Sequence, residues 1–356
     1  MKILITGACA VSGRSVLRSL KMSPIFADSE FIGWDMGSLL YGLYAGEFDR
    51  LYKVPAANDP SYEKVVRKII DDEKPDLAIM VPEVEVLYWT DKELGVPCLL
   101  PPPAFSNLAI SKERLFEALE GTGLVPKHFS VSAKEICSAD FKNPLGFPVW
   151  IRDGSAGTAS AKGAFKAFSN DDLRAWVQIN NGIDQFQLSE FLPGNNYGCF
   201  CLFKNGRLVK MCQAQRIEYI MAKVAVSGIT GNTSKGKLLN DPEIKEVAMK
   251  AIDILCQKTG EKMKGLVVVD MKCNGEGHPI ITEINLRHVA FSSMFASAGF
   301  NVSEYQALLA LDRDAEVSPE VEKIFPKGNY MLRDVDGVPI YKESLEEIPV
   351  GGFYSK

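Results

Sequence analysis

The stretch Ile281-Thr-Glu-Ile-Asn-Leu-Arg287 is the most informative part of this 356-residue chain for its fold. In an extended strand, successive side chains point to opposite faces. Glu283, Asn285 and Arg287 therefore share one face, and the apolar residues between them share the other. We expect one surface of this strand to carry a carboxylate, an amide and a guanidinium.

A second carboxylate is expected opposite the first. Asp270 lies in the apolar run 266–272, which we predict to pair antiparallel with 280–286. One natural register places Asp270 directly opposite Glu283. Carboxylates placed in this way repel each other unless a cation lies between them. Hard oxygen ligands suit Mg²⁺, with Mn²⁺ as the alternative ion. A solvated sheet face with ordinary charges remains the other interpretation. The predicted metal ligands are Asp270, Glu283 and Asn285.

A glycine-rich segment at 152–163 follows a predicted strand that ends at Arg152. Its small residues would let the backbone close over phosphate groups, and Arg152 and Lys162 would face them. A flexible hairpin tip without a ligand is the alternative. The candidate phosphate-binding residues of this segment are Arg152, Ser155, Gly157, Lys162 and Gly163.

The extended segment 189–194 is a third candidate site. Its backbone groups at Glu190 and Leu192 are suitably placed to read the edge of an adenine. A strand that ends at an ordinary Pro-Gly turn is the alternative. The reason to treat this segment as a candidate site is its position along the chain, between the glycine-rich segment and the two predicted metal-binding strands.

The first hundred residues alternate short apolar strands with helical stretches, which predicts a parallel βαβ sheet. The turn at 6–13 follows a strand and opens a helix, as in dinucleotide-binding folds. Gly7, Gly13 and Asp35 fit that pattern, but Ala10 stands where the middle glycine would let a pyrophosphate approach. We favour a tight turn without nucleotide, and a NAD(P)-dependent oxidoreductase remains an alternative function.

The composition indicates a globular chain with several domains, since 46% of the residues are hydrophobic. The net charge of -5 offers no broad basic surface, so nucleic acid is not expected as a partner. No apolar run is long enough to cross a membrane. The eight cysteines lack C-x-x-C spacing, and we expect reduced thiols and a cytoplasmic location.

Taken together, these segments resemble the ATP-grasp superfamily, most closely its single-module proteins that are similar to one half of the large subunit of carbamoyl phosphate synthetase. The resemblance runs over nearly the whole chain. Its most specific part is 283–287, which matches the family's Glu-x-Asn-x-Arg, with Asp270 at the preceding metal-ligand position. Ser111-Lys112 is similar to the start of the grasp module. The parts that look like the family's N-terminal domain are 33–35, 53–55, 58–62 and 74–82.

The resemblance implies a multidomain ATP-grasp fold that combines α/β and α+β parts. The implied units are an N-terminal α/β, parallel-sheet pre-ATP-grasp domain at 1–107, a lid subdomain with the glycine-rich loop at 108–190, a core subdomain with the metal site at 191–315 and a small C-terminal segment at 316–356.

The resemblance also implies roles for single residues. Lys112 and Arg152 would contact ATP phosphates, and Arg152 and Arg287 would be the catalytic cations. The hinge that holds adenine would be Glu190, Phe191 and Leu192, and Asn196 would hold the ribose. Residues near the acceptor substrate would be Arg216, Ser227, Gly228 and Arg287.

The implied enzyme is an ATP-dependent carboxylate-amine ligase with ATP and Mg²⁺ as cofactors. It would phosphorylate a small-molecule carboxylate, and an amine or other nucleophile would capture the acyl phosphate. A homodimer is implied by analogy alone. Two positions depart from the family pattern: Asp153 replaces a usual proline, and Asn196 replaces a usual glutamate. A catalytically weak ATP-binding regulatory protein is therefore a second alternative.

Overall fold

The computed structural model describes residues 1–39, 42, 47–154, 164–224, 230–334 and 348–355. Three sheets occur among these residues, with five, four and six strands. The sheets follow one another along the sequence, except that the short strand at residues 353–355 returns to the first sheet. In the described ranges, no helix combines the length and the hydropathy needed to cross a lipid bilayer.

The first sheet has the order β15-β3-β2-β1-β4, and its first four strands along the chain are parallel. This confirms the predicted βαβ pattern. The strands are β1 (Lys2–Thr6), β2 (Glu30–Asp35), β3 (Arg50–Lys53), β4 (Leu77–Ile79) and the antiparallel edge strand β15 (Phe353–Ser355). The helices are α1 (Val11–Lys21), α2 (Tyr62–Glu73), α3 (Glu83–Trp89) and α4 (Pro103–Ala109).

The glycine turn after β1 has a role within the fold. A Cβ atom on Gly13 would lie 2.2 Å from the carbonyl oxygen of Gly7, so α1 can start this close to the turn only with glycine there. The carboxylate of Asp35 accepts hydrogen bonds from the backbone N–H groups of Cys9, at 2.9 Å, and Gly37, at 2.7 Å. The residues that suggested a dinucleotide site are thus explained by close packing and backbone hydrogen bonding.

The second sheet is antiparallel, in the order β5-β8-β6-β7. Its strands are β5 (His128–Ser132), β6 (Val149–Asp153), β7 (Phe165–Ala167) and β8 (Gln185–Glu190). Helices α5 (Lys112–Ala118), α6 (Ala133–Ile136) and α7 (Asn170–Ile179) accompany it. The Ser111 side chain accepts a hydrogen bond from the Arg114 N–H, so Ser111 caps the N-terminus of α5.

The third sheet is antiparallel and has the order β13-β12-β9-β10-β11-β14. Its strands are β9 (Asn196–Lys204), β10 (Arg207–Tyr219), β11 (Thr233–Leu239), β12 (Gly265–Cys273), β13 (Pro279–Asn285) and β14 (Met331–Leu332). Strands β9 and β10 form a hairpin that turns at Asn205-Gly206. The remaining helices are α8 (Pro242–Thr259), α9 (Ser292–Ser297) and α10 (Val302–Ala310).

One hydrophobic core joins the first and third sheets. Trp34 of β2, Phe105 of α4, Ile252 of α8 and Val267 of β12 all belong to the same cluster of buried side chains. The second sheet has a separate core that includes Val149 and Leu188 and other residues of the same segment. The second sheet therefore belongs to a unit with its own core.

Candidate active site

Asp270 of β12 lies directly opposite Glu283 of β13, so the predicted register is confirmed. The ladder next places Met271 opposite Ile281, which leaves Thr282 as the extra residue of a β-bulge. The Thr282 hydroxyl donates a hydrogen bond of 3.2 Å to the Asp270 carbonyl oxygen. The bulge lies in β13, so the alternation of side chains along β12 continues undisturbed.

Strand β9 extends this polar face on the other side of β12. Gly198 pairs with Asp270, and Asn196 pairs with Lys272 on β12 and with Arg216 on β10. A Cβ atom on Gly198 would lie 3.1 Å from Arg216 Nη2 and 3.3 Å from Asp270 Oδ1. Glycine at this position therefore leaves the space in which those two side chains meet.

Each of the two opposed carboxylates has a cation beside it. Arg216 Nη2 donates to Asp270 Oδ1 at 2.6 Å, and Lys112 Nζ lies 2.9 Å from Glu283 Oε2. The amide of Asn285 donates to the second oxygen of Asp270 at 3.2 Å. Two acids, two bases and an amide from four separate elements therefore form one cluster on one face of the third sheet.

The two carboxyl groups titrate differently because their surroundings differ. Burial raises the pKa of Asp270 above its usual range; the Arg216 guanidinium opposes this, and the nearby Glu283 adds to it. The ammonium of Lys112 holds the pKa of Glu283 well below its usual range, against the effect of burial. Glu283 is therefore the stronger acid of the pair, and the repulsion between the two carboxylates raises the pKa of Asp270.

These residues fit a hard divalent cation. Among the described residues no three His, Cys, Asp or Glu side chains come together as a metal-binding group. A metal would therefore depend on two carboxylates, with the amide of Asn285 turned to present its oxygen and further oxygens from a ligand. Magnesium commonly uses one or two carboxylates together with substrate phosphates and waters. A cation between Asp270 and Glu283 would also relieve their mutual repulsion.

Arg152 projects from β6 into the same cluster. Its Nε donates to the Gln187 side-chain oxygen at 2.9 Å, and its guanidinium lies 5.2 Å from the ring centroid of Phe116. Burial lowers the pKa of Arg152 to about 10, while the charge of Glu283 opposes that shift. The structure thus brings Arg152 towards the predicted metal site from the second sheet.

Arg287 lies just past the end of β13, and it pairs with Glu83, a residue that the sequence patterns did not predict as part of the site. Its Nε is 3.8 Å from Glu83 Oε1, at the start of α3 in the N-terminal region. Burial raises the pKa of Glu83, while Arg287 opposes the shift and Glu283 reinforces it. The signal that could have found Glu83 is its position just after a parallel strand, where ligand sites of α/β sheets occur.

The predicted hinge begins where β8 ends. The N–H of Glu190 donates to the Lys127 carbonyl at 2.9 Å, and its side chain accepts from the Lys127 N–H at 3.2 Å. Leu192 is buried, and in the part of the chain that the structure describes its backbone N–H donates no hydrogen bond. An unused N–H at a buried hinge position is suited to a ligand acceptor.

Six predicted site residues lie outside the described part of the chain. They are Ser155, Gly157, Lys162, Gly163, Ser227 and Gly228. Of the predicted residues that are described, Arg216 was expected near the acceptor substrate and is found beside Asp270. The eight cysteines all carry free thiols, in agreement with the expectation from their spacing.

Neither a protein-family model nor a curated protein sequence matches the chain. Solved structures do match it. Phosphoribosylamine–glycine ligase from Thermotoga maritima has 14% identity and a TM-score of 0.63, over 90% of this chain and 78% of that one. L-amino acid ligase from Bacillus licheniformis has 13% identity and a TM-score of 0.62, over 89% and 77% of the two chains.

A third similar structure was solved with a nucleotide. It is the biotin carboxylase domain dimer of Hydrogenobacter thermophilus 2-oxoglutarate carboxylase, in complex with MgADP, ADP and bicarbonate. The identity is 13% and the TM-score 0.58, over 87% of this chain and 69% of that one. The chain therefore has the ATP-grasp fold. At these identities the likeness establishes the fold, and the reaction has to be argued from the site.

Proposed function

We propose that this protein is an ATP-dependent carboxylate-activating ligase. The observation that carries the proposal is the pair of opposed carboxylates, Asp270 and Glu283, with cationic side chains around them. Such an arrangement is suited to a metal-bound polyphosphate, which needs both oxygen ligands for the ion and positive charges for its own oxygens. The similar ligase structures support the same class of reaction.

The proposed reaction has two steps. A carboxylate oxygen of the substrate attacks the γ-phosphorus of ATP, and the bond to the β,γ-bridging oxygen breaks to release ADP. An amine or another nucleophile then attacks the acyl carbon, loses a proton and expels inorganic phosphate. The atoms balance with ATP as the phosphoryl donor, and no oxidant or reductant is needed.

The chain's own residues supply position and charge. Asp270, Glu283 and Asn285 would hold Mg²⁺, which when bound neutralises charge on the phosphate oxygens. Lys112 and Arg152 would bind the phosphates. Arg287, at the other edge of the cluster, would stabilise the negative charge on the transferred phosphoryl group. Arg216 would keep the Asp270 carboxylate oriented. We also propose that Glu190, Phe191 and Leu192 hold the adenine and that Asn196 contacts the ribose.

The proposal extends to partners and location. We propose small-molecule carboxylate and amine substrates, a cytoplasmic site of action and a homodimer; the similar carboxylase structure is that of a dimer. Light scattering of the purified protein tests the dimer. A molar mass near twice 39.2 kDa is expected, and a mass near 39.2 kDa would contradict that part of the proposal.

The test is ADP release from ATP and Mg²⁺ with paired small carboxylates and amines. Release that depends on both co-substrates, and that is lost in Glu283→Gln, is the expected result. The matched control is Glu276→Gln, since Glu276 is exposed in the loop of the same hairpin. ATP binding without any carboxylate-dependent ADP release would favour the regulatory ATP-binding protein instead.

A further inference from the structure

A fully buried histidine directly follows Arg287 in the sequence. Strand β13 ends at Asn285 and helix α9 begins at Ser292, so Arg287 and His288 lie in the connection between them. The His288 side chain has no exposed surface. An imidazole is therefore held inside the protein next to the arginine that would bind the transferred phosphoryl group.

Both ring nitrogens of His288 have partners from other elements. Nδ1 lies 2.9 Å from the hydroxyl oxygen of Ser292, and Nε2 lies 2.7 Å from the side-chain oxygen of Gln306 on α10. Gln306 in turn donates from its amide nitrogen to the Leu99 carbonyl oxygen at 2.9 Å. Because that carbonyl can only accept, the amide oxygen of Gln306 faces the ring, and Nε2 carries the ring proton. The ring is thus tied to two helices and to the N-terminal region.

The imidazole of His288 is neutral. Burial lowers its pKa to about 4; the hydrogen bond with Gln306 opposes the shift, and the charge of Arg287 adds to it. With the proton on Nε2, Nδ1 is an acceptor for the Ser292 hydroxyl. That hydroxyl also lies 2.9 Å from the Val289 carbonyl oxygen, so it has two acceptors within reach. A neutral ring in one tautomer fixes the chain without adding a second positive charge beside Arg287.

The main chain of His288 in turn holds the Arg287 guanidinium. Arg287 Nη1 donates to the His288 carbonyl oxygen at 3.1 Å, and Arg287 Nε lies 3.8 Å from Glu83 Oε1. The guanidinium therefore lies between an anchored carbonyl and a carboxylate from the N-terminal region. A shift of the His288 main chain would move the backbone that carries Arg287 and also an acceptor of its side chain.

We propose that His288 is a positioning residue, which fixes the Arg287 guanidinium for contact with the γ-phosphoryl group of the nucleotide. The proposal rests on the proposed function, because it requires a nucleoside triphosphate in the site and a phosphoryl-binding role for Arg287. A displacement of a phosphoryl-binding group by about 1 Å is enough to weaken its contact strongly. Ser292, which anchors the ring, acts through His288 in the same way.

The test is a double-mutant cycle on the preference for ATP over ADP, which is the ratio of their dissociation constants with Mg²⁺ in calorimetric titrations. The two nucleotides differ in the γ-phosphoryl group, so the ratio isolates contacts with that group. Arg287→Met should lower the preference for ATP by about 10- to 30-fold, and His288→Asn by about 3- to 10-fold. The double variant should lose no more than Arg287→Met alone, because His288 acts through Arg287.

A second variant keeps the test available if His288→Asn does not fold. Ser292→Ala removes one partner of the ring and changes little volume. It should lower the preference for ATP by about 2- to 5-fold, and only where Arg287 is present. The matched control is Ser303→Ala, which should leave the ratio unchanged. Ser303 is as buried as Ser292, and its hydroxyl has no hydrogen-bond partner among the described residues.

The possible failures are separable. A wild-type preference for ATP in folded His288→Asn and Ser292→Ala would overturn the inference, and so would a wild-type preference in Arg287→Met. A loss in the double variant equal to the product of the two single losses would also overturn it, because such independence indicates a role in stability alone. If the wild type binds neither nucleotide, the proposed function itself fails.

Discussion

The ammonium group of Lys112 lies 2.9 Å from the Glu283 carboxylate, so a residue assigned to ATP phosphate is in contact with a residue assigned to the metal. Lys112 starts helix α5, and Glu283 lies in β13 of the third sheet. A divalent ion and the ammonium group would therefore compete for the same carboxylate. Binding of phosphate by Lys112 would release Glu283, which couples nucleotide binding to metal binding.

This competition predicts opposite effects of Lys112→Gln on two ligands. Without the ammonium group, Glu283 is free for a cation, so the affinity for Mn²⁺ alone should rise roughly 3- to 10-fold. The affinity for ATP should fall, because a phosphate contact is lost. Electron paramagnetic resonance of free Mn²⁺ measures the first effect and calorimetry the second. Arg114→Gln, exposed on the same helix, is the control, and a parallel fall in both affinities would contradict the competition.

Gly198→Ala should disturb the site more than the fold. The added methyl group would meet Arg216 Nη2 at 3.1 Å and Asp270 Oδ1 at 3.3 Å, so that ion pair must shift by a few tenths of an ångström. We expect about a 10-fold loss of Mg²⁺-dependent ATP affinity with little change in melting temperature. Gly275→Ala, where a Cβ meets nothing within 4 Å, is the control. Equal ATP affinity in the two variants would contradict the prediction.

We expect the buried carboxyl group of Glu85 to make the free energy of unfolding depend on pH. Its carboxylate accepts hydrogen bonds from Trp34 Nε1, at 2.8 Å, and from the Tyr62 hydroxyl, at 2.7 Å. Burial raises the pKa of Glu85 to about 6, and hydrogen bonds from Thr6, Tyr62 and Trp34 oppose the shift. The folded state thus holds this proton more tightly than the unfolded state does. The resulting contribution to stability is fully present at a pH below the pKa that the Glu85 carboxyl has in the unfolded state. It is lost as the pH rises through about 6.

The matching experiment is urea unfolding of the wild type and Glu85→Gln at pH 5 and at pH 7.5. Between these two conditions the wild type should lose on the order of 1–2 kcal/mol of unfolding free energy relative to the variant. The comparison with the variant cancels the contributions of other titrating groups to the unfolding free energy. One such group is the buried His288, whose pKa burial lowers to about 4. A difference between the two proteins that does not change with pH would show that Glu85 is not the group responsible.

The features of this protein that could be predicted from its sequence are those that short-range patterns determine. The opposition of Asp270 and Glu283 followed from the period of two and from the short loop between their strands, and the structure confirms it. The turn after β1 was predicted as a tight strand-to-helix turn, and the close approach of Gly13 to the Gly7 carbonyl agrees with that part of the prediction.

The missed residues depend on contacts between separate elements. Glu83 reaches Arg287 from the start of helix α3, an element far from β13 in the sequence. A sequence pattern describes one element at a time. It can mark Glu83 by its position after a parallel strand, but it does not show which residue of another element lies against it. The place of Arg216 beside Asp270 has the same cause, since it depends on the order β12-β9-β10 in the third sheet.

The measurement that tests the central claim most directly is calorimetric titration of ATP into the wild type and into Glu283→Gln, each with and without Mg²⁺. The claim predicts that Mg²⁺ tightens ATP binding to the wild type and that the variant loses this effect while keeping its fold. ATP binding that responds to Mg²⁺ equally in both proteins, or no ATP binding by the wild type, would contradict the assignment of Asp270 and Glu283 as the metal ligands of a nucleotide site.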